Sequence, residues 1–427
     1  MTFCRMLMRV LARRFSTGDR VTQVKCCRPI TTSVNLQARA VRKSELMPAE
    51  GPPHAQKKLF TPGPLGVSMT TKQAMLRDLG SRDTEFIEIV KSIRRTIVEL
   101  AGVSQSSYSC VPMQGSGSFA IESVLTTTVP RNGGKVLILE NGAYGRRQAS
   151  ICDVLGIAYH KESFQENEMV SPERVQQILE SDHSFTNVSV VHCETSSGVI
   201  NPISKIGAVV KELCPNAVFF VDAMSSFGGI PINMADAKVD YLVTSANKCL
   251  EGVPGFSLAI APIEHLRSCK GNARSYALDL TDQYEGLEKN GQFRFTPPTH
   301  AMLAFHRALT ELEAEGGILA RAQRYKNSRE RLREGMAKLG FTEFLSGDHE
   351  GYIITSFFFP KDPHFNFVEF YTLLAKKGMV IYPGKVLNAD CFRIGNIGHL
   401  FPHNMMILLD KIDQVCQEMG MHVPFHN

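Results

Sequence analysis

Three stretches of the sequence combine residue types that could do chemistry together. Cys110-Val-Pro-Met-Gln-Gly-Ser-Gly-Ser-Phe-Ala120 sets Gly115, Ser116, Gly117 and Ser118 between a predicted strand and a predicted helix. Backbone N–H groups and hydroxyls at a helix N-terminus form a cradle for phosphate. Asp222 ends the apolar run Ala217-Val-Phe-Phe-Val221, where a lone charge is costly without a cationic partner. Lys248 follows the run Tyr241-Leu-Val-Thr244. Taken singly, Asp222 reads equally well as a helix cap or ion pair, and Lys248 as a solvated lysine. Taken together they suit pyridoxal 5′-phosphate: the lysine holds the aldehyde as a Schiff base, the aspartate keeps the pyridine nitrogen protonated, and the cradle anchors the phosphate.

The same Gly115-Ser-Gly117-Ser-Phe-Ala120 segment fits a G-x-G-x-x-G/A dinucleotide pattern, with Glu140 ending the next strand 25 residues on. That reading leaves Asp222 and Lys248 without a role, and the pyridoxal reading is preferred.

These residues need strand ends to converge. Strands are predicted at Ser109 to Met113, Lys135 to Leu139, Val188 to Cys193, Ala217 to Val221, Tyr241 to Thr244 and Phe256 to Ala261. Helices are predicted near Ser118 to Thr127, Arg146 to Leu155, Ser171 to Glu180 and Ser204 to Leu213, the third opened by a Ser171-Pro172 cap. Such alternation predicts an α/β fold whose mainly parallel sheet is covered on both faces and binds ligands beyond the strands' carboxyl ends. Past His300 a helical stretch to Leu339, broken at Gly316 and Gly317, precedes strands near Ile353 to Phe359, Met379 to Tyr382 and Cys391 to Ile394. The expected organisation is a leader and linker over residues 1–58, a large domain over 59–310 and a smaller C-terminal α/β domain over 311–427.

Charge separates the leader from the body. The whole chain carries 47 Lys/Arg and 42 Asp/Glu, and residues 1–58 hold twelve of the former and three of the latter. The leader is therefore +9 and the body −4, so a nucleic-acid or acidic-membrane partner finds no support in the body. Arg5, Arg9 and Arg13 line one helical face of an acid-poor start, the composition of a mitochondrial transit peptide, and a mitochondrial matrix location is the expectation. Eleven cysteines lack CxxC pairs and metal-ligand spacing, which points to reduced thiols and no metal. No apolar run approaches the roughly 18 residues of a membrane span.

Beyond these, Thr61-Pro-Gly-Pro64, Gly115-Ser-Gly-Ser118, Asn141-Gly-Ala-Tyr-Gly145, Glu194-Thr-Ser-Ser-Gly198, Val221-Asp-Ala-Met-Ser-Ser226, Ser245-Ala-Asn-Lys-Cys249 and Phe392-Arg-Ile-Gly-Asn396 occur in an order and spacing that resembles the class V aminotransferases of PLP fold type I. The resemblance runs from about Leu59 almost to the carboxyl end. Within that class it is strongest to the branch acting on 2-aminoethylphosphonate and pyruvate, with serine or alanine:glyoxylate (or pyruvate) transamination as the alternative. A non-catalytic binding protein of the same fold is a third reading, set against the full set of cofactor residues.

Carried onto this chain, the resemblance implies Lys248 as the Schiff-base lysine and Asp222 as partner of the pyridinium nitrogen. Ser116, Gly117 and Ser118 would hold the phosphate beside Asn247, with Thr296 reaching it from the other subunit of a homodimer. Tyr144 would stack on the ring, where relatives often carry an indole that this tryptophan-free chain lacks. Thr195 would approach the ring hydroxyl, and Arg393 would clamp the substrate's acid group.

Overall fold

The computed structural model describes residues 56–347, 350–386 and 389–425. From Ala55 onward the chain forms one compact unit. Its largest sheet contains β2 (Tyr108–Gln114), β3 (Lys135–Glu140), β4 (Ala158–Ser163), β5 (Asn187–Val191), β8 (Val218–Asp222), β9 (Tyr241–Ser245) and β10 (Phe256–Pro262) in the spatial order β2-β10-β9-β8-β5-β3-β4. Neighbours from β9 through β4 are parallel, and β10 runs antiparallel to both β9 and β2. This is the mainly parallel sheet that the alternation predicts.

β5, β8 and β9 are apolar runs buried along their whole length, as strands covered on both faces require. The register sets Asp222 opposite Val191 on one side and Val243 on the other, so the carboxyl ends of β5 and β8 finish level. β4 escapes the pattern search because Ala-Tyr-His-Lys-Glu-Ser is an edge strand, with no residue fully buried. Charged side chains on such an edge discourage pairing with another chain.

Helix boundaries follow local chemistry. The helix Pro172–Ser181 starts where the Ser171 side chain accepts a hydrogen bond from Arg174 N at 3.1 Å. The long helical stretch divides into Thr299–Glu315 and Gly317–Lys338 at Gly316, which adopts φ +104°. The helix Thr84–Leu100, which lies before the alternating region, buries Phe86, Ile89, Val90, Ile93 and Ile97 at helical spacing.

Two short pairings complete the frame. β1 (Lys58–Leu59) runs parallel to β12 (Met379–Val380), and β6 (Cys193–Glu194) pairs with β7 (Val199–Ile200). The second sheet orders β11 (Ile354–Phe358), β14 (Cys391–Gly395) and β13 (Tyr382–Pro383) as β11-β14-β13. A separate apolar core gathers Phe60, Phe341, Phe357, Phe370 and Phe392 under this sheet. Phe60 thus ties the start of the described chain to its C-terminal part. The eight described cysteines are all free and buried. Among the described residues, no helix is long and apolar enough to cross a membrane, and no group of three His, Cys, Asp or Glu could hold a metal ion.

Candidate active site

Beyond the carboxyl ends of β5, β8 and β9 lies a cavity of about 210 Å³. Eight residues singled out from sequence line it: Ser116, Gly117, Ser118, Tyr144, Thr195, Asp222, Asn247 and Lys248. They come from stretches more than 130 residues apart in the chain, brought together by the parallel register.

Asp222 is the last residue of β8 and is 2% exposed. Its Oδ1 accepts the Met224 N–H at 2.9 Å, and its other oxygen has no hydrogen-bond donor among the described residues. Burial is the main cause that pushes its carboxyl up to about 6, partly opposed by the Met224 N–H. The group is primed for a cationic or N–H partner supplied from the cavity.

Lys248 follows β9, and its Nζ donates to the Pro62 carbonyl at 2.6 Å. Desolvation pulls its ammonium down to about 8, with the positive charges of Arg393 and Arg147 acting in the same direction. A Cβ at Gly63, which has φ +129°, would collide with Nζ, so glycine is required where the amino-terminal segment crosses the lysine.

The helix Gly117–Thr128 points its N-terminus at the cavity. Ser116 stands at its cap position without making a side-chain capping bond. The amides of Gly117 and Ser118 open the helix and have no intrahelical acceptor, which makes them available to an anion. A Cβ at Gly117 would overlap the Met224 thioether, so any side chain there would have to push Met224 aside. Ser118 Oγ accepts from Arg147 Nη1 at 3.1 Å, placing a cation beside the cradle.

Glu194 organises the opposite wall. Fully buried, it accepts from Ser196 Oγ at 2.6 Å, Ser196 N at 3.1 Å, Tyr144 N at 3.0 Å and Gly145 N at 3.4 Å. Burial raises its carboxyl, and these donors act against that rise. The carboxylate serves as a distant N-cap for the helix Ala143–Leu155, whose own cap residue is Gly142. Tyr144 is held at the cavity by that arrangement.

Arg393 and Thr296 lie outside the lining. Arg393 is 1% exposed on β14, where Nη1 donates to the Thr195 carbonyl at 2.6 Å and Nε to the Pro383 carbonyl at 2.9 Å. It touches the site through Thr195. Thr296 is exposed, and its carbonyl accepts from Gln114 Nε2 at 3.3 Å. Arg147, Glu194, Met224 and Lys385 were not assigned roles from sequence. Glu194 and Met224 do fall within quoted motifs, whereas Arg147 and Lys385 read as ordinary surface cations.

A family model for class-V aminotransferases matches residues 67–388. A 2-aminoethylphosphonate–pyruvate transaminase of Lysinibacillus sphaericus is 47% identical over 356 residues, 83% of this chain and 96% of its own. One from Syntrophobacter fumaroxidans is 47% identical over 363 residues, 85% and 97%. Among solved structures, an alanine–glyoxylate aminotransferase from Nostoc is 21% identical with a TM-score of 0.79, covering 88% of this chain and 98% of its own, a likeness of fold.

These relatives overturn the expected mitochondrial location. They are bacterial proteins, from cells without that organelle, yet they match most of this chain. An arginine-rich, acid-poor composition is a general property of basic tails, and residues 1–55, on which the expectation rested, lie outside the described residues. By the family match, by the relatives and by the fold around its strand-end cavity, the chain belongs to the class-V aminotransferases, of PLP fold type I.

Proposed function

We propose that the chain transfers the amino group of 2-aminoethylphosphonate to pyruvate, yielding phosphonoacetaldehyde and L-alanine, with pyridoxal 5′-phosphate as cofactor. The observation that carries this reading is the pairing, in one cavity, of a lysine with a lowered ammonium pKa and a buried aspartate with one unpartnered oxygen. Relatives that share 47% of the aligned residues over nearly their full length are named for that reaction.

The donor set fits the cofactor. Asp222 needs an N–H or cation, and a pyridinium nitrogen supplies one; a phosphate is served by the Gly117 and Ser118 amides, the Ser116 and Ser118 hydroxyls and Asn247. Thr195 and Tyr144 line the cavity, and there Thr195 would approach the ring hydroxyl and Tyr144 would stack on the ring. When bound, the cofactor supplies an electron sink that stabilises negative charge at the substrate's amino-bearing carbon.

The remaining chemistry belongs to the chain. Lys248 Nζ, whose ammonium is lowered to about 8 by desolvation, would serve as the base that accepts and returns the proton of that carbon. Asp222 would keep the ring nitrogen protonated, and Arg393 would hold the acid group of each substrate in turn. The second half-reaction reverses these moves on pyruvate.

In the homodimer that the family resemblance implies, Thr296, exposed in the single chain, would complete the partner's phosphate site. The separate apolar core around Phe392 supports a small domain over 311–427 beside a large one over 59–310, with Phe60 of the amino-terminal segment packed into the small domain's core. The function is tested by supplying purified protein and cofactor with 2-aminoethylphosphonate and pyruvate, and in parallel with alanine or serine and glyoxylate. Alanine formed from the first mixture is expected. Turnover confined to the glyoxylate mixtures would refute the phosphonate reading.

A further inference from the structure

Three cations converge on one edge of the cavity with no carboxylate paired to any of them among the described residues. Lys385 Nζ lies 4.4 Å from the centre of the Tyr144 ring, and the Arg147 guanidinium carbon lies 4.9 Å from it. Arg393 is joined to the same wall through the Thr195 carbonyl. The ammonium of Lys385 is pulled below its ordinary value by burial first, then by Arg147 and Arg393, which shows that the three charges feel one another. Glu194, an acid of the same wall, is already committed to four donors. Arg393 is buried, Lys385 half-buried and Arg147 exposed, and their mutual repulsion favours an anion of more than one charge beside them.

The local backbone holds Lys385 there. Arg393 Nε fixes the Pro383 carbonyl, and a Cβ at Gly384 would collide with the Cys391 carbonyl, so the segment after β13 runs flush against β14. Lys385 leaves this turn toward Tyr144. Arg147, bonded to Ser118 Oγ, belongs to the phosphate end of the cavity. Arg393 and Lys385 are the pair left for substrate.

Resting on the proposed function, we infer that Lys385 is the residue that selects a phosphonate over a carboxylate. A carboxylate carries one charge and is served by Arg393 alone. A phosphonate resembles a phosphomonoester, with a charge of about −1.5 to −2 near neutral pH and three acceptor oxygens, and it takes Arg393 and Lys385 together. The site thereby accepts both of its substrates while binding the aminophosphonate more strongly.

The test uses the cofactor-loaded full chain and its Lys385→Met and Lys385→Arg variants. Steady-state kinetics gives KM for 2-aminoethylphosphonate and for pyruvate, and calorimetric titration gives the affinity for methylphosphonate and for acetate, neither of which reacts. For Lys385→Met, the KM for the phosphonate and the methylphosphonate Kd are expected to rise by about 10- to 100-fold, the worth of a charge-assisted hydrogen bond. The pyruvate KM and acetate Kd are expected to move by less than about 3-fold, and Lys385→Arg to recover most of the loss. An equal rise for both anion classes, or no rise for either, would overturn the assignment. Should the parent protein form no alanine from 2-aminoethylphosphonate, the proposed function fails; methylphosphonate binding that is indifferent to Lys385 sinks this inference alone.

Discussion

Lys248 combines a cavity position, a carbonyl acceptor at 2.6 Å and an ammonium lowered to about 8. Only the neutral amine attacks an aldehyde, so capture of pyridoxal 5′-phosphate by the cofactor-free protein should accelerate as pH rises through about 8 and then level off. Stopped-flow absorbance across pH 6–10 measures this, and a rate independent of pH in that range would contradict the assignment. Asp222 makes the companion prediction. Asp222→Asn keeps the shape and removes the charge that sustains a pyridinium, so cofactor should still load while turnover drops by about 100-fold or more. Unchanged turnover would remove Asp222 from the chemistry.

At the scale of elements, the turn after β9 that carries Lys248 is clamped from the helix Gly317–Lys338. Arg321 Nη1 donates to the Cys249 carbonyl at 2.9 Å, and Arg324 Nη2 pairs with Glu251 at 2.7 Å. Tyr325 Oη donates to the same Glu251 oxygen at 2.6 Å. Glu251 sits at φ +58°, an unusual conformation for glutamate that this network sustains. Glu251→Ala leaves Arg324 and the Tyr325 hydroxyl one acceptor short while Glu315 still pairs with Arg321 and Arg324, and should cost about 1–3 kcal/mol in urea unfolding. A loss below about 1 kcal/mol would show the clamp to be dispensable.

How far such elements were legible depends on their pattern. The buried strands β5, β8 and β9 stood out as apolar runs, and their ends named Asp222 and Lys248. β4 did not, because a polar edge strand lacks both an apolar run and a clean alternation. Arg147 and Lys385 resemble any surface cation until the fold sets both within 5 Å of Tyr144. Arg393 was legible as a motif, but its main-chain tethers to Pro383 and Thr195 arise only when β14 is placed beside β13.

For the whole molecule, the proposed homodimer gives the exposed Thr296 a site to complete on the partner subunit. Sedimentation should show a dimer, and Thr296→Ala should weaken cofactor retention by about 10- to 100-fold, the range expected for one lost hydrogen bond to a charged group. A fully active monomer would refute the shared site. The amino-terminal basic segment has no assigned place in this account, since the bacterial relatives remove the mitochondrial reading.

The central claim is that this cavity moves an amino group from an aminophosphonate to pyruvate. Its most direct test is the absorption of the cofactor-loaded protein, recorded as 2-aminoethylphosphonate is added alone and pyruvate afterwards. The account predicts that the pyridoxal band gives way to the pyridoxamine band with the first addition, and returns with release of alanine on the second. A pyridoxal band that the phosphonate leaves untouched, while alanine or serine discharges it, would contradict the claim.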